Sequence, residues 1–275
     1  MPFFARDTSA ILRFVFAVIV LSSSLHLTAQ VALLPRTAVP VRFDKTIDAR
    51  KSKPGDRITA TTLQGILLSN GRELPRGSRA IGHVVQAVAL VPVSRDYTEQ
   101  PPSLLAVHFD RLESGDLSIP VGLVLRAIAD SFIAEDASRV EYDFEEDSRG
   151  VMHLIGGVSF DPFNEAIRDV DNRIIAYNRL HGVYAHLLAA HGPQPPSLAC
   201  SATETEQSIA LFSPDACGVY GFDRFYLAAN GTDGSETFVL ASHTHTAFIS
   251  AGSAALLQQN ISPPTSGAAV RSSFN

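Results

Sequence analysis

The chain has 275 residues, a formal net charge of −6 and 45% hydrophobic residues. That is enough apolar material for one large core. The acidic balance argues against a nucleic-acid surface, which needs clustered Lys and Arg; the only basic cluster, Arg50, Lys51 and Lys53, reads as a solvated loop.

Residues 1–29 read as a secretory signal peptide. Arg6 and Arg13 precede the apolar run Phe14–Leu21, a short serine stretch follows, and Ala29 is a small residue before a cut ahead of Gln30. The apolar run is shorter than the roughly 20 residues that span a bilayer, so an uncleaved anchor is the weaker reading. Removing 29 residues also removes Arg6, Arg13 and Asp7, which leaves 246 residues at a net charge of −7. The expected address is the periplasm or the exterior, with outer-membrane association open and no stable transmembrane span after cleavage.

Residues 30–129 are strongly β in pattern. Val41–Phe43 is a short strand, Lys53-Pro54-Gly55-Asp56 a turn, and Arg57–Leu63 a second strand. Ile66–Leu68 runs into Asn70-Gly71, a tight-hairpin signal because both residues accept positive φ. In Leu74–Gly82, Pro75 presets a tight turn and Gly77 relieves crowding where it closes. Gly82 interrupts the next strand, as a bulge or a close backbone approach requires. Arg79–Val91, Leu104–Phe109 and Leu117–Ile128 continue the series. Strands at this spacing, punctuated by Gly, Pro and Asn, indicate an antiparallel barrel or sandwich.

The middle differs. Asp130–Asp147 is acidic and reads as a solvated loop or exposed edge, without the alternating ligands and central Gly of a calcium loop. Phe163, Ala166, Ile167, Val170, Ile174, Tyr177, Leu180, Tyr184, Leu187 and Leu188 recur at three- and four-residue steps, between Pro162 and Gly192-Pro193. That spacing predicts one helix of roughly 40 Å. It is expected to pack on the barrel or plug one end; pairing with a partner helix is the alternative. Gln194–Glu206 reads as a linker. Strands return at Ser208–Phe212, Phe222–Ala228, Glu236–Ala241, Ala247–Ser250 and Ala254–Gln259, with turns at Asn230-Gly231 and Asp233-Gly234. Residues 261–275 read as a disordered tail. The expected fold is therefore mainly β: an antiparallel barrel-like domain from residues 30–129 and 207–260, with one long α-helical insertion within 130–206. A closed sheet would leave no unpaired edges.

Cys200 and Cys217, 17 positions apart, are expected to form a disulfide in an oxidising compartment, worth about 3 kcal/mol by loop entropy. A metal or redox pair is the alternative, but Cys-x-x-Cys spacing is missing. His243-Thr244-His245 is the best metal candidate, because residues at i and i+2 on a strand share a face. A third ligand would come from His83, His108, His153 or a carboxylate. Exposed turn histidines are the plainer reading. No Gly-x-Ser-x-Gly elbow is present, and Ser253 sits in a turn. Gly156-Gly157 lacks a phosphate-loop context. Asp110 and Asp161 have no partner visible in the sequence, and His181, His186 and His191, five apart, do not share a helical face. No catalytic residue and no cofactor are expected.

Several stretches resemble the β domain of TrbI-like conjugation and type IV secretion channel proteins. They are Lys53-Pro54-Gly55-Asp56, Leu74-Pro75-Arg76-Gly77-Ser78-Arg79 and Ile81-Gly82-His83-Val84. Phe109–Ile119, with Gly115-Asp116-Leu117-Ser118-Ile119-Pro120, is similar to the family's second strand pair, and Phe248–Ser253 to its closing strand. The family turn reads Ile-Pro-Lys-Gly-Ser/Thr, with Leu74 and Arg76 as conservative replacements here. The resemblance implies a structural, non-catalytic barrel that oligomerises in the cell envelope. The chain departs from the family in its cleavable-looking signal, its acidic loop and its two-cysteine segment. The function expected is an exported non-enzymatic envelope protein, a structural or protein-binding module that binds an envelope protein or itself. The alternatives are a metal-binding protein or metal-dependent hydrolase using His243 and His245, and a small-ligand carrier using the barrel mouth.

Overall fold

The computed structural model describes residues 31–92, 100–142, 150–169, 171–179, 182–187, 203, 205–228 and 236–260. The expected signal peptide, His181, His191, Cys200, the turns expected at 230–234 and the tail expected at 261–275 lie outside the described residues.

The first part of the chain forms β1 (Ala38–Phe43), β2 (Ile47–Asp48), β3 (Arg57–Thr62), β4 (Ile66–Leu67), β5 (Glu73–Leu74), β6 (Arg79–Val88), β7 (Ser103–Ser114), β8 (Leu117–Pro120) and β9 (Leu123–Ala129). The middle carries a short helix, α1 (Ser131–Asp136). It then forms β10 (Val140–Tyr142), β11 (Gly150–His153), β12 (Ser159–Phe160), β13 (Ala166–Arg168), β14 (Ile174–Arg179), β15 (Gly182–His186) and β16 (Glu206–Ser208). The last part forms β17 (Gly218–Tyr220), β18 (Tyr226–Ala228), β19 (Thr237–Ser242), β20 (Phe248–Ile249) and β21 (Ala254–Gln259).

The main sheet runs β17-β9-β21-β1-β3-β6-β7-β19-β18, with β8 paired to β7 off this path. Front and back of the chain interleave. β1 pairs with β21, β7 with β19, and the small β2 with β20. The two outermost strands, β17 and β18, are consecutive in sequence and approach each other, so the sheet is a nearly closed barrel whose seam is spanned by residues 221–225.

Alternation explains the two faces. On β1, Val39, Val41 and Phe43 point inward. The Phe43 and Phe109 ring centroids lie 6.1 Å apart, and Phe109 lies 6.5 Å from Phe238. Ala38, Ala127, Ala129, Ala254 and Leu256 occupy the outward positions of β1, β9 and β21, and they too are buried. The insertion covers them with Leu154, Ile155, Ile175, Val183, Ile209 and Phe212. Each fully buried Leu, Ile or Phe contributes about 1.5–3 kcal/mol relative to exposure. Buried hydrogen bonds also tie the insertion to the barrel: the Ala38 N–H donates to Gln207 Oε1 at 2.9 Å, and Ser208 Oγ donates to Gln64 Oε1.

The long helix expected over residues 162–192 does not form. Its described residues make the meander β13-β14-β15, and β16 adds a fourth strand. Two turns interrupt the helical spacing. The Asp169 carboxylate accepts the N–H groups of Asp171 and Arg173 at 3.0 and 2.9 Å, and Asn172 takes φ 63°. Gly182, at φ 141°, opens β15. The β-branched residues Ile174, Ile175 and Val183 favour the pleated state. Burial then alternates at Val183, Ala185 and Leu187, which is a strand period. Phe163, counted in the helical stripe, is exposed. Among the described residues the one helix is α1, inside the acidic stretch. The Asp130 carboxylate caps it by accepting the Ile133 N–H at 2.8 Å. Among the described residues, no helix is long and apolar enough to cross a membrane.

Candidate functional site

A large concavity lies where the insertion meets the barrel wall. It measures about 730 Å³. Arg42 reaches it from the outward face of β1, Leu63 and Gln64 from the end of β3, and Met152, Leu154 and Val183 from the insertion. The turn singled out in the sequence forms its rim. The Thr62 N–H donates to Ser78 O at 2.8 Å, the Gly77 N–H to Thr62 O at 3.0 Å, and Ser78 Oγ to Pro75 O at 2.6 Å. Gly77 takes φ 86°, and this bonded turn presents Arg76 to solvent.

The groove carries positive charge. Arg42, Arg76 and Arg179 line it against a single carboxylate, Glu73. Arg179 lies over the Tyr177 ring at 4.7 Å and reaches Glu206 at 3.4 Å. Arg42 Nε is buried without a hydrogen-bond partner. Tyr184 sits close by, and its phenol is raised above its ordinary value by burial first and by Glu73 second.

His243 and His245 are held apart by different partners. His243 stacks on Tyr226 with centroids 5.7 Å apart. Its Nδ1 lies 2.7 Å from Gln100 O, which only accepts, so Nδ1 carries the hydrogen; Nε2 faces Tyr226 Oη at 3.0 Å. Both ring nitrogens are therefore engaged, which works against the metal role read from the His-x-His spacing. His245 instead stacks on Phe225 at 6.1 Å and bonds Thr244 Oγ1 at 2.8 Å. Burial raises the Tyr226 phenol.

His83 and His108, named in the sequence only as possible third ligands to the His243–His245 pair, group with Asp110 instead. Across β6 and β7, His83 pairs with His108, with ring centroids 5.4 Å apart. Asp110 Oδ2 lies 3.1 Å from His83 Nδ1, and Oδ1 lies 3.7 Å from His108 Nε2. The register jumps between Ile81 and Gly82, so Asp110 is the extra residue of a bulge. The clue was Gly82, where a Cβ would fall inside contact distance of the His108 carbonyl oxygen. Among the described residues no set of three His, Cys, Asp or Glu side chains is arranged to hold a metal ion.

The remaining candidates are accounted for locally. Cys217 is buried, and its N–H donates to Tyr220 Oη at 3.1 Å; its expected partner Cys200 lies outside the described residues. Asp161 accepts the Phe163 N–H at 2.8 Å. Ser253 is fully buried, with an unpaired hydroxyl. His153 bridges Ser159 and Glu141. Comparison of the chain with protein-family models, curated proteins and solved structures finds no match in any of the three.

Proposed function

We propose that the protein is an exported, non-enzymatic binding module of the cell envelope that holds an acidic segment of a partner protein in the groove between barrel and insertion. In this reading residues 1–29 direct export and are removed, and a Cys200–Cys217 bridge forms after export. The resemblance to TrbI-like channel barrels supports the envelope setting. The observation that carries the reading is Arg42: a guanidinium nitrogen buried without a partner, in an apolar groove whose other charges are mostly arginine. A buried donor left unmade costs about 1–3 kcal/mol or more when charged, and a carboxylate answers it with a strong, directional bond.

The test is in-cell photocrosslinking with the probe placed at Arg76 or Met152 in the groove, or at the exposed Lys53 on the turn before β3, at the opposite end of that strand from Gln64. The expected result is a discrete protein adduct from the groove positions alone, with an acidic crosslinked peptide, abolished by Arg42→Glu. Equal adducts at Lys53, or adducts indifferent to Arg42→Glu, would refute the reading. A small-ligand carrier is the second reading, because the groove volume falls in the range of about 300–1,000 Å³ typical of ligand sites. Native mass spectrometry separates the two: a carrier retains a small adduct of constant mass that Arg42→Glu releases.

A further inference from the structure

The barrel seam carries a second concavity of a different chemical character. Residues 221–225 cross from β17 to β18 and bring Phe222 and Phe225 against Phe248 of β20. The three rings meet pairwise at 5.8, 6.4 and 5.8 Å, each pair tilted edge to face, and His245 stacks on Phe225. Phe132 of α1 adds a fourth phenylalanine, and it is 80% exposed. A short helix that leaves its largest apolar side chain in water is incompletely explained by folding alone.

The charged side chains that line the cleft are of one sign. Asp130 and Asp223 line the cleft, and no Lys or Arg does. Asp130 has no ion-pair partner among the described residues; its cap bond to Ile133 uses Oδ1 alone. Asp223 faces Arg224 at 3.8 Å, with both side chains mostly in solvent, so that pair neutralises little. Phe faces attract cations through the ring quadrupole, and nearby carboxylates reinforce the attraction. An anion would be repelled here, and a hydrated ammonium would gain little from apolar walls.

We infer that this seam cleft binds a small free organic cation with a methylated ammonium head. The cavity of about 290 Å³ suits a solute of a few carbon atoms around one nitrogen better than a protein segment. Binding would also bridge α1, the seam turn and β20, the three elements that meet where the barrel closes.

The experiment is isothermal titration of the full mature protein with choline and with tetramethylammonium. The neutral isostere 3,3-dimethylbutanol and phosphatidylcholine vesicles serve as the comparison arms. The expected result is millimolar or tighter binding of both cations, and at least about tenfold weaker binding of the neutral isostere. Phe225→Ala should weaken choline at least about tenfold, and Asp223→Asn by about three- to fivefold. Phe132→Ala, at an exposed position that cannot unfold the core, should weaken it measurably with an unchanged melting temperature. Equal affinity for the neutral isostere, binding to vesicles but not to free choline, indifference to Phe132→Ala and Asp223→Asn, or no heat up to ~50 mM ligand would each overturn the inference. The groove variant Arg42→Glu should leave choline binding unchanged, so this site and the groove stand or fall separately.

Discussion

Gly82→Ala tests the central packing of the barrel. Gly82 sits at the register jump between β6 and β7, where a Cβ would lie 3.0 Å from Phe109 Cα and from the His108 carbonyl carbon, and closer still to the carbonyl oxygen. These are backbone atoms that cannot rotate away, so the strands must separate by about 1 Å to reach ordinary contact. The separation weakens about two flanking ladder bonds at roughly 0.5–1.5 kcal/mol each. It also disturbs Phe109, which is fully buried between Phe43 and Phe238, at an overpacking cost of about 1–3 kcal/mol. The expected loss is about 3–5 kcal/mol, which at this chain length lowers the melting temperature by about 6–20 °C. Urea unfolding followed by fluorescence and by circular dichroism gives the measurement. Gly77→Ala is the internal comparison. It meets nothing within 4 Å and suffers only from φ 86°, worth about 1–2 kcal/mol. A loss under about 1 kcal/mol for Gly82→Ala, or a larger loss for Gly77→Ala, would refute the close-approach argument.

Arg126 is fully buried on β9, donating to Pro214 O at 2.9 Å and Ala216 O at 3.1 Å, and burial pushes it down to about 10 despite Asp215. That burial penalty, about 3 kcal/mol, offsets much of what its charged hydrogen bonds, those to Pro214 and Ala216 among them, contribute, so Arg126→Met should cost under about 2 kcal/mol overall. It should nevertheless raise hydrogen exchange at residues 213–217, and an unchanged exchange pattern would count against the pinning role. Glu113 is held below its ordinary range by the hydrogen bond from Arg111, reinforced by Arg79. A depressed carboxyl stabilises above its unfolded value and loses that contribution as pH falls below about 4.5, so Glu113→Gln should flatten the acid limb of a stability-versus-pH curve. Mass spectrometry of protein exported from a bacterial host should find Gln30 at the N-terminus and no alkylation without reductant; alkylation at Cys217 before reduction would remove the bridge.

The barrel was legible because its strands carry their own punctuation. Asn70-Gly71 lies between β4 and β5, Gly115-Asp116 between β7 and β8, and the Pro75–Ser78 turn leads into β6. β6 and β21 began where the apolar runs indicated, at Arg79 and Ala254. The insertion was harder because two hairpin turns of suitable length carried the apolar residues of successive strands into a three- and four-residue rhythm. Asp169, Asp171 and Asn172 form a turn-rich group that outweighs that rhythm once the Asp169 side chain bonds the backbone. The binding surfaces were not legible at all. Arg42 and Arg179 are 137 positions apart, and Phe132 and Phe248 are 116 apart; only the strand register joins them. Asp110 looked solitary because its neighbour His83 comes from the strand across the ladder.

The insertion also has a role that strand periodicity does not reveal. β17 runs parallel to β9, as Gly218, Val219 and Tyr220 pair with Ala127, Ile128 and Ala129. A hairpin cannot join two parallel neighbours; the chain must leave the sheet and return to the same end, over about a dozen residues or more. Residues 130–217 are that crossover. They therefore set how the barrel closes, in addition to covering the alanine-rich outer face of β1, β9 and β21. This explains why Arg126 of β9 reaches across to the carbonyls of Pro214 and Ala216, just before β17 begins. It also explains why the aromatic cleft forms at the seam. Once β17 is fixed beside β9, five residues remain to reach β18, and Gly221 packs so close to Asp130 that a Cβ there would lie 2.6 Å from its carboxyl carbon. The seam turn and the helix cap are thus consequences of one topological constraint, and they place α1 beside the cleft.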